Sequence, residues 1–313
     1  MSYLRSFGLQ DIPLLRRLGD KGTLLDVESA IWGPHRPLVK ALGNYLTFNR
    51  KGIYTFVLDG EGFIQGRDRA SGLACDIVYI APSWADSSEG IWYRLLEGFC
   101  VEKGEERAQR IFVKLREEES EEVEVFRQVG FRGYARRQIF RWDEILPQMV
   151  GADKRSLRSR RAGDEWGLQR LYSSVAPRPV QQVERPEDIS LYPMMREYVA
   201  EEEGEIIAYF CLMPGKEGHW MKAVIHPQAE ERRLVRSGLR LLSAFEARPI
   251  YCEARGYEEG LRSALREIGF EYLFEELLMV KHTTARAKVP AAQSAVSLET
   301  KAEGVPTVSS SKR

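Results

Sequence analysis

Apolar and polar positions along the chain fall into short β-like runs separated by helical spacings, and the same succession occurs twice. In the first part, "YTFVLD" (Tyr54 to Asp59), "LACDIVYIAP" (Leu73 to Pro82) and "RIFVKL" (Arg110 to Leu115) read as strands. "EGIWYRLLEGFCVEKG" (Glu89 to Gly104) has the three-to-four-residue apolar spacing of a helix. In the second part, Arg196 to Met213 predicts a hairpin turning at "EEEG". "HWMKAVIHP" follows as a strand, "RRLVRSGLRLLSAFEA" as an amphipathic helix and "PIYCEA" as another strand. Strands and helices interleaved in this way predict an α/β protein with a mixed sheet.

Two ungapped internal matches support a duplication. Leu4 to Leu18 lies over Leu157 to Leu171, with Leu4/Leu157, Arg5/Arg158, Ser6/Ser159 and Asp11/Asp164 among the identities. Ile111 to Phe131 lies over Ile250 to Phe270, each ending a helix with Gly-Phe. Gly130 and Gly269 suit the left-handed residue that stops a helix, and Phe131 and Phe270 start the next strand. The expected organisation is therefore an N-terminal domain over 1–143, a linker over 144–153, a C-terminal domain over 154–283 and a disordered tail over 284–313. Superposed, the two domains should show the same strand order, each with its own sheet. The basic stretch Lys154 to Arg161 falls on the first strand of the second unit, which makes it an edge strand rather than a nucleic-acid patch.

Composition narrows the partners. With 46 basic and 46 acidic residues the chain has no net charge to draw a polyanion, so no nucleic-acid partner is expected. No segment has the apolar length to span a bilayer, and no signal-like run opens the chain, so no membrane and a cytoplasmic location are expected. Cys75, Cys100, Cys211 and Cys252 lie in apolar segments without metal-ligand spacing; they read as buried reduced thiols, and no metal is expected.

In "LRSRRAGDEW", "VIHP" with the helix after it, and "ALREIGF", the chain resembles the GNAT (GCN5-related) N-acyltransferases, over about residues 1 to 283 and in tandem form. The resemblance implies two tandem GNAT-like domains, each a mixed, mostly antiparallel sheet flanked by helices. It also implies acetyl-CoA as co-substrate, held in a V-shaped opening between the fourth and fifth strands. There the free backbone of the fourth strand pairs with the pantetheine, and a glycine-rich loop at a helix N-terminus wraps the pyrophosphate. Two features of the family are replaced here. The loop of the second unit reads "EERRLV", with Glu230, Arg233 and Val235 where the family has Arg or Gln and two glycines. The tyrosine that protonates the leaving thiolate is Phe126 in one unit and Leu265 in the other, and an Asn seven residues further upstream is Glu119 and Glu258.

Candidate chemistry follows from these positions. Acyl transfer to an amine needs a base for the ammonium proton, and His219 or, in the first unit, Asp76 is placed on the fourth strand for it. Tyr257, at the start of the last helix, is a second source of the thiolate's proton. Val224 and Ile225 are the expected pantetheine edge, and Arg232, Arg233, Val235 and Arg236 the expected phosphate turn, with arginine charge in place of glycine N–H groups. The expected function is acyl-CoA-dependent transfer to an amine acceptor with at most one competent domain. The alternative is a non-catalytic GNAT-fold protein that binds CoA, a small molecule or a partner protein.

Overall fold

The protein is described by a computed structural model covering residues 4–47, 52–87, 90–143, 157–185 and 195–283. The expected linker 144–153 and tail 284–313 lie outside the described residues. The duplicated opening takes the same form twice. The first copy is β1 (Leu4–Ser6), a short 3-10 turn and α1 (Ile12–Leu18); the second is β8 (Arg158–Ser159), a 3-10 turn and α6 (Glu165–Val175). In each, the strand arginine grips the turn aspartate with two nitrogens: Arg5 with Asp11 at 2.7 and 2.7 Å, Arg158 with Asp164 at 2.7 and 2.8 Å. Each aspartate also accepts the backbone N–H at the start of its turn, from Gly8 and Arg161. A fork-shaped guanidinium fixes a carboxylate in orientation as well as charge, so these pairs lock the chain's entry into the helix.

The rest of the first half comprises β2 (Thr23–Leu24), α2 (Val27–Trp32), α3 (Pro37–Leu46), β3 (Ile53–Leu58), β4 (Gly62–Asp68), β5 (Ala74–Ala81), α4 (Ile91–Glu105), β6 (Arg110–Arg116), α5 (Ser120–Gln128) and β7 (Arg132–Trp142). The second half continues with α7 (Arg178–Val183), β9 (Arg196–Glu202), β10 (Glu205–Pro214), β11 (His219–Ile225), α8 (Glu231–Leu242), β12 (Ile250–Arg255), α9 (Glu259–Ile268) and β13 (Glu271–His282). Gly130 and Gly269 adopt positive φ, and Phe131 and Phe270 donate back to the carbonyls of Phe126 and Leu265, so both helices end as the sequence requires.

One 13-stranded sheet contains all of these strands, in the order β1-β3-β4-β5-β6-β13-β7-β12-β11-β10-β9-β8, with β2 added on β5. Read outward from its centre, the sheet runs β6-β5-β4-β3-β1 on one side and β12-β11-β10-β9-β8 on the other, so the two halves share one strand order. Separate sheets were expected, and here the structure corrects the sequence reading. The last strands are exchanged: β13 of the second half lies against β6 of the first, and β7 of the first against β12 of the second. β7 and β13 then pair with each other from Arg141↔Glu271 to Arg132↔Val280. Each is long enough to reach across the junction, and the exchange leaves neither half with an open edge at the centre, where unpaired backbone would be costly.

A buried charge cluster fastens this centre. Arg137, on β7, is 1% exposed. Its Nε meets Glu276 of β13 at 2.6 Å, while Nη1 meets Glu28 of α2 at 2.6 Å and also Glu253 of β12. Lys114 of β6 binds Glu28 at 2.6 Å and Asp26 at 3.4 Å, and Asp26 also pairs with Arg67 of β4 at 3.1 Å. Burial by itself would raise the Glu28 carboxyl, but Arg137 and Lys114 hold it well below the usual range. α2 is thereby drawn across both halves: Ile31 packs with Ile139, Met213 and Trp220, and its carbonyl accepts the Glu217 N–H at 3.1 Å. Replacing Arg137 by Met leaves three buried carboxylates short of a cation. The variant is expected to lose about 3–5 kcal/mol of stability, read as a shift of the urea midpoint. An unchanged midpoint would show that the cluster does not hold the halves together.

Candidate functional site

Both halves have the V-shaped opening, and they use it differently. In the first half the parallel strands β5 and β6 pair only at Ala74↔Arg110, Cys75↔Ile111 and Asp76↔Phe112, then separate. The chain itself fills the gap. β2 pairs with the freed edge of β5 through Thr23↔Ile80 and Leu24↔Tyr79. Leu25 N–H donates to the Val78 carbonyl at 2.9 Å and Ser83 N–H to the Lys21 carbonyl at 2.6 Å. Gly22 passes so close to the Tyr79 ring that a Cβ there would overlap it, and the Tyr79 hydroxyl donates to the Gly19 carbonyl at 2.6 Å. The hydrogen-bonding edge that a pantetheine needs is already occupied.

In the second half, β11 and β12 pair from His219↔Ile250 to Lys222↔Glu253. Beyond that point none of the described strands pairs with Ala223 to Ile225 on that side, while their other edge is held by β10. A cavity of about 20 Å³ lies in this opening, bounded among others by Lys222, Val224, Glu253, Tyr257 and Glu258. Glu258 caps the N-terminus of α9, and its Oε2 accepts the Arg255 N–H at 2.7 Å. Burial pushes its carboxyl up to about 7; Glu253 adds to the rise, and the Arg255 N–H, Arg255 and Lys222 oppose it. A carboxyl poised there can take and release a proton near neutrality. Tyr257 lines the same cavity, and burial raises its hydroxyl well above its ordinary value, so it stays protonated as a hydrogen-bond donor.

Several residues singled out from sequence lie elsewhere. His219 is buried at the closed end of β11, where it pairs with Ile250, its Nε2 2.8 Å from the Glu246 carbonyl and its ring beside Phe245. Asp76 is buried in a two-point ion pair with Arg69, at 2.7 and 3.0 Å, and despite burial that charge keeps its carboxyl low, so it is spoken for as a base. Val235 is fully buried in the core one turn inside α8, so it does not line a phosphate turn. Val224 and Ile225 do supply the open edge, although their side chains point into the core. Arg232 and Arg233 are exposed in the first turn of α8, Arg232 3.7 Å from Glu267, and Arg236 is half-buried a turn further on. Glu230 caps this helix and Glu231 opens it, the latter against Gly260 at the start of α9. Two acidic residues thus stand at the α8 terminus, where the helix dipole would otherwise favour an anion. Phe126 and Leu265, in place of the family's tyrosine, are core residues with no polar atom to offer. All four cysteines are free and buried, and no described helix is long and apolar enough to cross a membrane.

The duplicated strand order, the two V-shaped openings and the helix after each fourth strand are those of the GNAT N-acetyltransferase fold, and this chain has that fold in tandem form. A GCN5-related N-acetyltransferase from Sphaerobacter thermophilus superposes with a TM-score of 0.54 at 15% identity, covering 90% of this chain and 95% of that one. A tandem GNAT protein from the clavulanic acid biosynthesis pathway superposes with a TM-score of 0.53 at 11% identity, covering 90% of this chain and 98% of that one. No protein-family model and no curated protein sequence matches the chain.

Glu258 was visible in the sequence only as a replaced Asn; its raised proton affinity comes from burial that no local pattern encodes. That affinity has a consequence for stability. The folded protein binds the proton more tightly than the unfolded chain, whose carboxyl sits near 4.5. The resulting stabilisation is complete below that pH and is lost as pH rises through about 7. Glu258→Gln is therefore expected to match the parent at pH 4 and to be about 1–3 kcal/mol more stable at pH 8, measured by urea unfolding. A variant equally or less stable at pH 8 would show that the carboxyl is not held neutral by its surroundings.

Proposed function

We propose that this protein is an acyl-CoA-dependent N-acyltransferase whose second half carries the reaction and whose first half is closed by its own chain. The observation that supports it most is the contrast between the two fourth strands: β5 is paired along its freed edge by β2, whereas Ala223 to Ile225 of β11 have no strand partner on that side among the described residues. The domain limits 1–143 and 154–283 belong to the same proposal, with the last strand of each exchanged.

The backbone of Ala223 to Ile225 would hold the pantetheine, and Arg232 and Arg233 would meet its phosphates; the acyl-CoA supplies an activated thioester. Glu258, ionised above about pH 7, takes the proton from the acceptor ammonium and leaves a nucleophilic amine. As the C–N bond forms and the C–S bond breaks, Tyr257 gives its proton to the departing thiolate. The new amide nitrogen sheds its second proton to solvent, Glu258 returns the first to the Tyr257 phenolate, and both groups end in their starting states. His219 and Asp76 take no part in this scheme.

A single mixture tests the proposal: acetyl-CoA with a panel of primary amines, followed by release of free CoA. The rate is expected to rise with pH through about 7, and Glu258→Gln to lower it by at least about 100-fold, the scale of general-base catalysis. In hydrogen exchange, acetyl-CoA should protect Ala223 to Ile225 and leave Val78 to Ile80 unchanged. Protection on β5, or at neither strand, would remove the assignment to the second half. A non-catalytic reading draws support from one observation, the pair Glu230 and Glu231 at the α8 terminus. It takes first place if acetyl-CoA protects β11 but no amine releases CoA.

A further inference from the structure

Next to the second opening lies another cavity of about 20 Å³, at the junction of the two halves. The two cavities share three residues, Glu184, Lys222 and Arg255, which form the wall between them. Six cationic side chains face the central cavity: Arg69, Lys114, Arg137, Arg185, Lys222 and Arg255. Only Glu28 and Glu184 face it as acids. Several of the carboxylates that balance these cations, Asp76 for Arg69 and Glu276 for Arg137 among them, lie behind them rather than on the cavity surface. The central cavity is therefore lined by more cations than acids, whereas the opening beside it is lined by Glu184, Glu253 and Glu258 together with Lys222 and Arg255.

Arg255 is the residue that looks into both spaces. It is 8% exposed, and its Nη2 spans Glu184 at 3.0 and 3.2 Å. Its Nη1 is buried without a hydrogen-bond partner. Beside it, Lys222 uses one contact, to Glu253 at 2.9 Å, out of the three donors of an ammonium group. A buried guanidinium N–H left unpaired is destabilising, which makes this wall a prepared place for an acceptor oxygen. Each cavity has room for about one water-sized group, so neither takes a whole ligand.

From this arrangement, and resting on the acyltransferase reading above, we infer that the acceptor is a short amine bearing a compact anion, carboxylate or phosphate. Its nitrogen sits in the opening at Glu258, and its anion is held by Arg255 Nη1 and Lys222. Arg255 is then a specificity residue, and the first-half cations Arg69, Lys114 and Arg137 line the space on its far side.

Calorimetry on the full chain with matched pairs tests this: glycine against methylamine, γ-aminobutyrate against propylamine, and ethanolamine phosphate against ethanolamine. The anionic member of at least one pair is expected to bind ten-fold or more tightly than its partner. Whether the carboxylates or the phosphate show it identifies the anion. Arg255→Lys, which keeps a cation for Glu184 but loses the second nitrogen, should bring the anionic member of each pair down to the affinity of its neutral partner. Equal binding within every pair, no binding of any anionic amine, or a preference that survives Arg255→Lys overturns the inference. The two proposals fail separately. A preference without acetyl-CoA binding or CoA release retains the anion site and removes the acyltransferase, and CoA release that is equal within pairs does the reverse.

Discussion

A guanidinium withdrawn from water in the middle of a sheet has to be matched by negative charge on every side from which it is approached, and Arg137 sets this condition for the whole molecule. Glu276 answers it along β13, Glu253 along β12 and Glu28 from above the sheet. The first two place strands of the second half on both sides of a strand from the first. The third requires α2 to leave its own half. Removing one partner from such a group is far more disruptive than the net worth of the pair, so the three demands act together.

The asymmetry of the halves follows from the third demand. To bring Glu28 and Asp26 over Arg137 and Lys114, the chain between α1 and α3 must run along the mouth of the first opening, and once there its backbone completes the edge of β5. In the second half, α6 is followed directly by α7, and Glu184 just after it reaches Arg255 without any described strand on the open edge of β11. In the first unit the segment between α1 and α3 closes the opening, and in the second the opening remains among the described residues. The closed half still contributes, because its β6 and β7 carry side chains that line the space beside the open site.

How much of this the sequence displays depends on the range over which each feature is decided. Arg5 with Asp11 and Arg158 with Asp164 are six residues apart and act within one turn, so their identity in the two repeats was readable, and so were the glycine stops at Gly130 and Gly269. The exchange of β7 and β13 was not, since an apolar strand has the same pattern whichever sheet receives it. Asp26 and Glu28 resemble acids at a helix start, and nothing local says that their partners are Arg67, Lys114 and Arg137. Residue type and strand position singled out His219 and Asp76, but whether a titratable group is free depends on its neighbours: the Glu246 carbonyl lies within hydrogen-bond reach of one, and Arg69 holds the other. Tyr257 was singled out from its place at a helix start, eight residues before Leu265, which occupies the family's tyrosine position.

The turn before α8 shows how such a site can drift without closing. A glycine-rich loop binds phosphate through backbone N–H groups that need no charge, whereas here Glu230 and Glu231 stand at the helix start, where their charge disfavours a further anion. Arg232 and Arg233 stand in the same turn and restore positive charge, but on long exposed side chains, with Arg232 already near Glu267. Contacts of that kind are weaker and screened by salt. In the proposed reading, the grip on a donor therefore shifts from the pyrophosphate to the β11 edge, whose residues Ala223 to Ile225 are buried. Under that proposal selection falls to the buried end, where Glu258, Lys222 and Arg255 line one cavity, and not to the surface turn where the family's sequence signature lies.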